Sequence, residues 1–227
     1  MNVTQLTLSS DDPVALGEWY NDALNVDVLF SDGAAIVSAG STEMILTDAD
    51  KRTAPYHVAF RSQTPVTELY DWFTDRGEHI SVEGESTIRF EFLSADAVYF
   101  EDPEGNILEC LHYDRDTPKQ DSLGPNTVHS VTEVGLPAHD TASLQSWLVD
   151  TVGLSTIGSP TETFAWVGDF DSRFVVVPAG RDWYPTDRPA GVSPLTTEVA
   201  VENTECEVYE STTHPYTINK TSHTQRS

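Results

Sequence analysis

Val3-Thr4-Gln5-Leu6-Thr7-Leu8-Ser9-Ser10-Asp11-Asp12, near the start of the chain, is answered by Val131-Thr132-Glu133-Val134-Gly135-Leu136-Pro137-Ala138-His139-Asp140. At a constant offset of 128, Val3, Thr4, Leu8, Asp12, Leu16, Trp19 and Asp22 meet Val131, Thr132, Leu136, Asp140, Leu144, Trp147 and Asp150. A shorter echo lies between them. Gln5-Leu6-Thr7-Leu8 followed by Pro13-Val14 matches His57-Val58-Ala59-Phe60 followed by Pro65-Val66 at an offset of 52. Self-similarity at fixed spacing is the mark of a repeated supersecondary unit.

Each repeat reads as a strand, a polar turn, a helix and further strands. Leu6 and Leu8 alternate with Gln5 and Thr7, the period of a half-buried strand. Asp12 suits a helix N-cap, and Pro13 the first helical position, where its missing N–H costs nothing. Leu16, Trp19 or Tyr20, and Ala23 return at helical spacing to pack on Leu6 and Leu8. Strands are expected over 26–30, 34–39 and 43–47. The second unit opens at His57, with Thr64 as cap, Val66, Leu69 and Phe73 facing inward, and Gly77 ending the helix. Its later strands are expected at 79–82, 87–93, 97–100 and 107–111. The third starts near Ser130, with Asp140 as cap, a stripe of Leu144, Trp147 and Leu148, and Gly153 past its end. Residues 195–201 read as the first strand of a fourth unit, with Glu198 in line with His57. Only 29 residues follow Glu198 and they are polar, so this unit is read as a fragment without closing strands.

The fold class expected is α+β, with tandem βαβββ units forming curled mixed sheets in two domains, the second incomplete. Residues 1–113 form the complete domain, 114–127 a linker, 128–208 the partial domain and 209–227 a polar tail.

Asp102-Pro103-Glu104-Gly105-Asn106-Ile107-Leu108-Glu109 closes the second unit, about fifty residues after His57 opens it. This element, the tandem βαβββ units and a polar residue opening each first strand resemble the vicinal oxygen chelate superfamily. That group includes glyoxalase I, bleomycin- and fosfomycin-resistance proteins and extradiol ring-cleaving dioxygenases. Two consecutive double units look most like the two-domain catechol 2,3-dioxygenase-type proteins. The resemblance implies Gln5, His57 and Glu109 as metal ligands, with Glu109 catalytic, and a small substrate with adjacent oxygens; Tyr113, which shares the face of Glu109 by alternation, is the second catalytic candidate. Fe(II) is the metal first implied, with Mn(II), Ni(II) or Zn(II) as alternatives. Alternation agrees, because Gln5, His57 and Glu109 each lie opposite neighbours that pack on the helices. Two departures stand out. Extradiol enzymes use two histidines and one carboxylate, whereas Gln5 stands where the first histidine belongs. Glyoxalase I has glutamine there but adds a carboxylate from the fourth strand, where this chain has Ile45, with Glu43 two residues away. A glyoxalase-like lyase and a metal-free protein that sequesters a small aromatic ligand are the competing readings.

The second half aligns Glu133 with Gln5 and Glu198 with His57, with no counterpart of Glu109. It is read as a non-catalytic half that shapes the cleft, covers the first domain or builds a homodimer interface. Trp183-Tyr184-Pro185 is the aromatic segment for such a contact. Arg61 and Arg89 are candidates for holding an anionic substrate, and His79, His139, His214 and His223 are read as exposed.

Charge excludes whole classes of partner. Thirty-seven Asp and Glu against 12 Lys and Arg leave −25 on 227 residues, with only Lys51, Lys119 and Lys220 as lysines. Such a field repels phosphate backbones and anionic membranes, so neither nucleic acid nor membrane is an expected partner. The composition resembles proteins of salt-accumulating cells such as halophilic archaea. Cys110 and Cys206 form no Cys-x-x-Cys pair, and neither a disulfide framework nor a structural zinc site is expected. The first residues lack a signal-peptide pattern and no run is long and apolar enough to span a bilayer, so a cytoplasmic location is expected.

Self-repulsion at this charge is screened only when the Debye length falls to about 3 Å at 1 M salt. The thermal midpoint is therefore expected to rise steadily with KCl into the molar range. A midpoint independent of salt would remove this account of the surface.

Overall fold

β1 (Asn2–Ser10) buries Val3, Leu6 and Leu8 and leaves Gln5 and Thr7 half-exposed on its other face. The computed structural model describes residues 1–48, 55–76, 79–82, 84–117, 128–202 and 204–222. The Asp12 carboxylate accepts from the Ala15 N–H at 3.0 Å, and Pro13 opens α1 (Pro13–Leu24), which buries Leu16, Tyr20, Ala23 and Leu24. β2 (Val28–Ser31), β3 (Ala34–Ala39) and β4 (Thr42–Asp48) complete the unit, with β4 parallel to β1.

The second unit comprises β5 (His57–Ser62), α2 (Val66–Arg76), β6 (His79–Ile80), β7 (Ile88–Phe90), β8 (Ala95–Glu101) and β9 (Ile107–Tyr113), with β9 parallel to β5. Thr64 does not cap α2. Its hydroxyl is buried without a partner among the described residues, and the Pro65 carbonyl accepts from the Glu68 and Leu69 N–H groups at 3.0 and 3.2 Å. The third unit comprises β10 (Val128–Ala138), α3 (Thr141–Ser146), β11 (Thr156–Ile157), β12 (Ala165–Gly168) and β13 (Arg173–Pro178). Asp140 caps α3 as expected, accepting from the Ser143 N–H at 2.9 Å, and the helix runs on through a π-helical turn, Trp147–Thr151. Gly77, His223 and residues 118–127 of the expected linker lie outside the described residues.

The fourth unit is fuller than its composition suggests. β14 (Leu195–Val201), β15 (Glu207–Glu210) and β16 (Tyr216–Ser222) supply its first, third and fourth strands. Among the described residues this unit has no helix and no second strand, and β15 follows β14 after residues 202–206. The stretch read as a polar tail from 209 therefore carries the closing strand. Tyr216 and Ile218 are buried, while Thr217 and Asn219 alternate to the open face and hide the strand in a polar composition.

Pairing between units also differs from expectation. The first sheet runs β15-β16-β14-β1-β4-β3-β2, and the second runs β11-β12-β13-β10-β5-β9-β8-β6, with β7 added on β8. Unit one thus joins unit four through the antiparallel β1–β14 pair, and unit two joins unit three through β5–β10. Residues 1–113 do not share one cleft. The free edge of each opening strand is satisfied by a later unit rather than by its neighbour in sequence. The helix-bearing faces of both sheets share one apolar cluster that includes Leu6, Tyr20, Phe60, Phe100, Leu136 and Leu144. A second cluster fills the opposite face of the second sheet. Among the described residues, no helix is long and apolar enough to cross a membrane.

The β3–β4 turn fastens the two sheets together. The Ser41 N–H donates to the His129 carbonyl at 2.9 Å. The Thr42 hydroxyl accepts from the Val131 N–H at 3.0 Å and donates to the Val3 carbonyl at 2.7 Å. Gly40 sits in this turn at φ +63°, where a Cβ would overlap the His129 carbonyl, whereas Gly33 at φ +80° has open space around it. Gly33→Ala is expected to cost about 1 kcal/mol, the left-handed backbone penalty alone. Gly40→Ala adds overpacking against rigid backbone and should cost about 3 kcal/mol or more. Thermal unfolding of the two variants checks this: equal midpoints would show that the turn does not fasten the sheets.

Candidate functional site

The site is set by the turn that enters β9. The Asp102 carboxylate accepts from the Glu104 N–H at 3.0 Å, the Asn106 N–H at 2.9 Å and the Asn106 amide at 2.6 Å, and Gly105 supplies φ +75°. The Asn106 side-chain oxygen accepts from the Tyr56 N–H at 2.8 Å, and the Ile107 N–H donates to the Tyr56 carbonyl at 2.9 Å. This fixes β9 beside β5 in one register, with His57 opposite Ile107 and Ala59 opposite Glu109. In the same turn, Glu104 reaches back to the first sheet. Its carboxylate accepts from the Ser10 hydroxyl at 2.6 Å and from the Asp11 and Asp12 N–H groups at 2.8 and 3.1 Å.

A third acidic residue arrives from β10. The ladder between β10 and β5 slips between Val131 and Glu133, so Val131 lies opposite Phe60 and Glu133 opposite Ala59. A bulge of this kind re-aims a side chain, and here it turns Glu133 toward His57 and Glu109. The three residues are 5, 6 and 3% exposed in that order, and one ligand atom from each lies within 4.8 Å of the others. From His57 Nε2, Glu109 Oε2 is 3.8 Å away and Glu133 Oε2 4.0 Å. His57 Nδ1 lies 3.1 Å from the Ile107 carbonyl. Beside a carbonyl it acts as donor, which leaves the Nε2 lone pair facing the carboxylates.

Burial governs the protonation of this group. It pushes the His57 pKa down against the pull of Glu133, so the imidazole is neutral. Burial first, and then the charge of Glu133, raise Glu109 well above the usual carboxylate range, opposed by a hydrogen bond from Tyr99. Tyr99 is itself pushed well up by burial and by both glutamates, and remains a donor. The fully buried Arg173 is ion-paired with Glu133. Burial works against its charge, but Glu133 and Tyr113 outweigh that and keep it a cation.

A cavity of about 340 Å³ opens over these residues, walled by Phe90, Leu93, Phe164, Trp166, Val175 and Trp183. Residues 181–184 also line it, in the segment 179–194 that leads from β13 in the second sheet to β14 in the first. Trp183 packs with its ring centroid 5.0 Å from that of His57. Gly135 permits this approach, since a Cβ there would stand 2.6 Å from the indole. Arg188 pins the segment by donating to the Gly105 carbonyl at 2.9 Å and by an ion pair with Glu101. Of the aromatic segment, Trp183 and Tyr184 line the cavity and Pro185 does not.

The residues singled out in sequence separate. His57 and Glu109 meet, but Gln5 lies in the other sheet, on β1 opposite Glu198. Glu133 stands in its place, because unit three rather than unit one pairs with unit two. Registers also move the counterpart of His57 in the first sheet from Glu198 to Thr196, and make Asn219 the counterpart of Glu109. Tyr113 shares the face of Glu109 but not the cavity wall. Its hydroxyl is buried between Arg173 Nη2 at 3.2 Å and Thr132 Oγ1 at 3.1 Å. Arg61 pairs with Asp116, and Arg89 with Asp114 at 2.7 Å, so both are held away from the cavity. His214, expected to be exposed, is 8% exposed. Tyr99 and Arg173 were not singled out in the sequence. The first could be found from the β8–β9 register, which sets Tyr99 opposite Glu109. The second gives no local signal.

No family model matches the sequence, and no curated protein matches it. Solved structures do. A Bacillus subtilis protein assigned as a dioxygenase aligns over 97% of this chain and 85% of its own, with TM-score 0.63 and 13% identity. A glyoxalase I variant from Zea mays aligns over 87% of this chain and 74% of its own, with TM-score 0.58 and 15% identity. At such identities the likeness shows the fold: mixed α+β units in two curled, unclosed sheets, the architecture of the vicinal oxygen chelate proteins.

Proposed function

We propose that His57, Glu109 and Glu133 hold one divalent metal ion, and that the cavity above them binds a small planar substrate with two adjacent oxygens. The observation that carries this is the convergence of three buried donor groups within 4.8 Å, with Nε2 freed for ligation by the Nδ1–Ile107 contact. Imidazole and two carboxylates suit a first-row divalent metal, and three protein ligands leave positions open. Ring-cleaving oxygenation, as in catechol 2,3-dioxygenase-type proteins, is the activity this supports best, with Fe(II) as the metal. The near-full-length likeness to the Bacillus subtilis protein assigned as a dioxygenase and the aromatic cavity walls support it.

When bound, Fe(II) would supply Lewis acidity and one-electron chemistry at those open positions. The chain supplies the rest. Tyr99, opposite Glu109 in the β8–β9 register, favours its ionised form. Trp183 lies over His57 and, with the other aromatic walls, keeps water from the donors. In such a dry space the charges act at low dielectric, where each is worth more than in water. Tyr113 acts at one remove, through Arg173. The first sheet presents Gln5, Thr196 and Asn219 at the equivalent positions, a neutral set that makes a poor metal site. A second reading, glyoxalase-type isomerisation with the metal as Lewis acid alone, is favoured by the two carboxylates, which suit harder cations.

Wild-type protein offered Fe(II) or Mn(II) in high salt should retain one ion per chain after desalting. His57→Ala and Glu109→Ala should each lose on the order of 100-fold or more in affinity, and Gln5→Ala should change it little, because it lies outside the donor set. Catechol-dependent O2 uptake by the Fe(II) form, against isomerisation of a hemithioacetal by the Ni(II) or Zn(II) form, separates the two activities. A wild-type protein that stays metal-free with Fe(II), Mn(II), Ni(II) and Zn(II) would overturn the proposal and leave ligand sequestration in its place.

A further inference from the structure

Arg173 is the feature that a simple metal-binding triad does not explain. It lies on β13 in register with Glu133 on β10, and its side chain has no exposed surface. The two oxygens of Glu133 have separate partners. Oε1 takes the Arg173 Nη2 ion pair, and Oε2 faces His57 Nε2 at 4.0 Å. A directional chain then locks the guanidinium. The Thr132 hydroxyl donates to the Asp171 carbonyl at 2.8 Å, so it accepts from the Tyr113 hydroxyl at 3.1 Å. The Tyr113 oxygen is left to accept from Arg173 Nη2 at 3.2 Å. Nη1 donates to the Phe170 carbonyl at 3.4 Å, and the Trp166 ring lies 5.3 Å from the guanidinium carbon.

We infer that Arg173 is a positioning and charge-balancing residue, which makes Glu133 act toward the metal as a single-oxygen, effectively neutral ligand. The inference rests on the metal reading above. Its argument is charge. Binding of a divalent ion displaces the proton that burial favours on Glu109, and a neutral imidazole, two ionised glutamates and one guanidinium then leave a single positive charge on the site. Two imidazoles and one carboxylate around the same ion would leave that same charge. The buried pair Glu133–Arg173 therefore stands in electrostatically for an imidazole, while the bulge in β10 supplies the placement. Without Arg173, two like charges would face each other at low dielectric and bind a bare cation more tightly than an exchangeable site requires.

The sign of the effect separates this from a role in folding alone. A residue that only supports the fold weakens metal binding when it is lost; a buried positive charge near a cation strengthens binding when it is removed. Mn(II) affinity would be measured by calorimetry for wild type, Arg173→Met, Arg173→Lys, Glu133→Gln and the double variant Glu133→Gln with Arg173→Met. We expect Arg173→Met to tighten binding about tenfold and Arg173→Lys, which keeps the charge, to stay near wild type. Glu133→Gln should bind weakest, since Arg173 then repels the ion unopposed. Adding Arg173→Met to it should recover about tenfold or more. If Arg173→Met alone fails to fold because Glu133 is left bare, the double variant, which buries no unpaired charge, decides the matter. Weaker binding by a folded Arg173→Met, or no gain in the double variant over Glu133→Gln, overturns the inference while leaving the metal site standing. A wild-type protein that takes up no Mn(II) overturns both.

Discussion

The Asp102 carboxylate is the constraint on which the rest is built. It is 3% exposed and spends its oxygens on the backbone and side chain of its own turn, with the Tyr20 hydroxyl of α1 donating at 3.3 Å. A carboxylate that closes a turn in this way removes the register freedom that a strand otherwise has. With register fixed, β9 can start only where Asn106 meets Tyr56, and Glu109 can lie only beside Ala59. The carbonyl that orients His57 belongs to Ile107, the first residue after the turn. Glu104 in the same turn clasps the end of β1. One local motif thus sets the spacing of two site residues and the joint between the two sheets.

What was legible in the sequence follows from range. Alternation at Leu6 and Leu8, the Asp12 and Asp140 caps and the Asp102–Asn106 turn are encoded within a few residues, and each forms as read. His57 and Glu109 were readable because that turn couples them. Sheet pairing was not, since β1, β5, β10 and β14 all open their units with similar edges and nothing local says which edge meets which. Gln5 was accordingly grouped with a site that it does not reach. Glu133 was noticed but given to the wrong cleft, because the bulge beside it exists only once β5 is its neighbour. Arg173 opens a strand whose next residues are Phe174, Val175, Val176 and Val177. Nothing there says that a charge lies at the bottom of the fold. The closing strand β16 was hidden by its own alternation, with Thr217 and Asn219 facing outward.

The two sheets show one scaffold under two electrostatic regimes. In the second, a buried histidine and two glutamates face an aromatic cavity, and a buried arginine backs one of the glutamates. In the first, the equivalent positions hold amides and a hydroxyl on an open face, where Glu198 accepts from the Thr4 hydroxyl at 2.7 Å. Ionisable groups in a dry place need mutual compensation, whereas amides in water do not. The difference in lining and cover, more than in backbone, separates the two clefts. Residues 181–184 of the passage 179–194 line that cavity, so the segment that joins the sheets also walls one of the two clefts.

Interleaved pairing imposes an order on synthesis. When residues 1–48 leave the ribosome, they can form α1 and the β1–β4 pair, but the outer edge of β1 has no partner. That partner, β14, emerges only after units two and three have been made. The second sheet, built from contiguous units two and three, can close earlier. Until β14 arrives, the nascent chain carries an unpaired edge of a kind that recruits other chains. Its long loop closures make the final step slow relative to local folding. A surface of one dominant sign keeps neighbouring nascent chains apart during that interval.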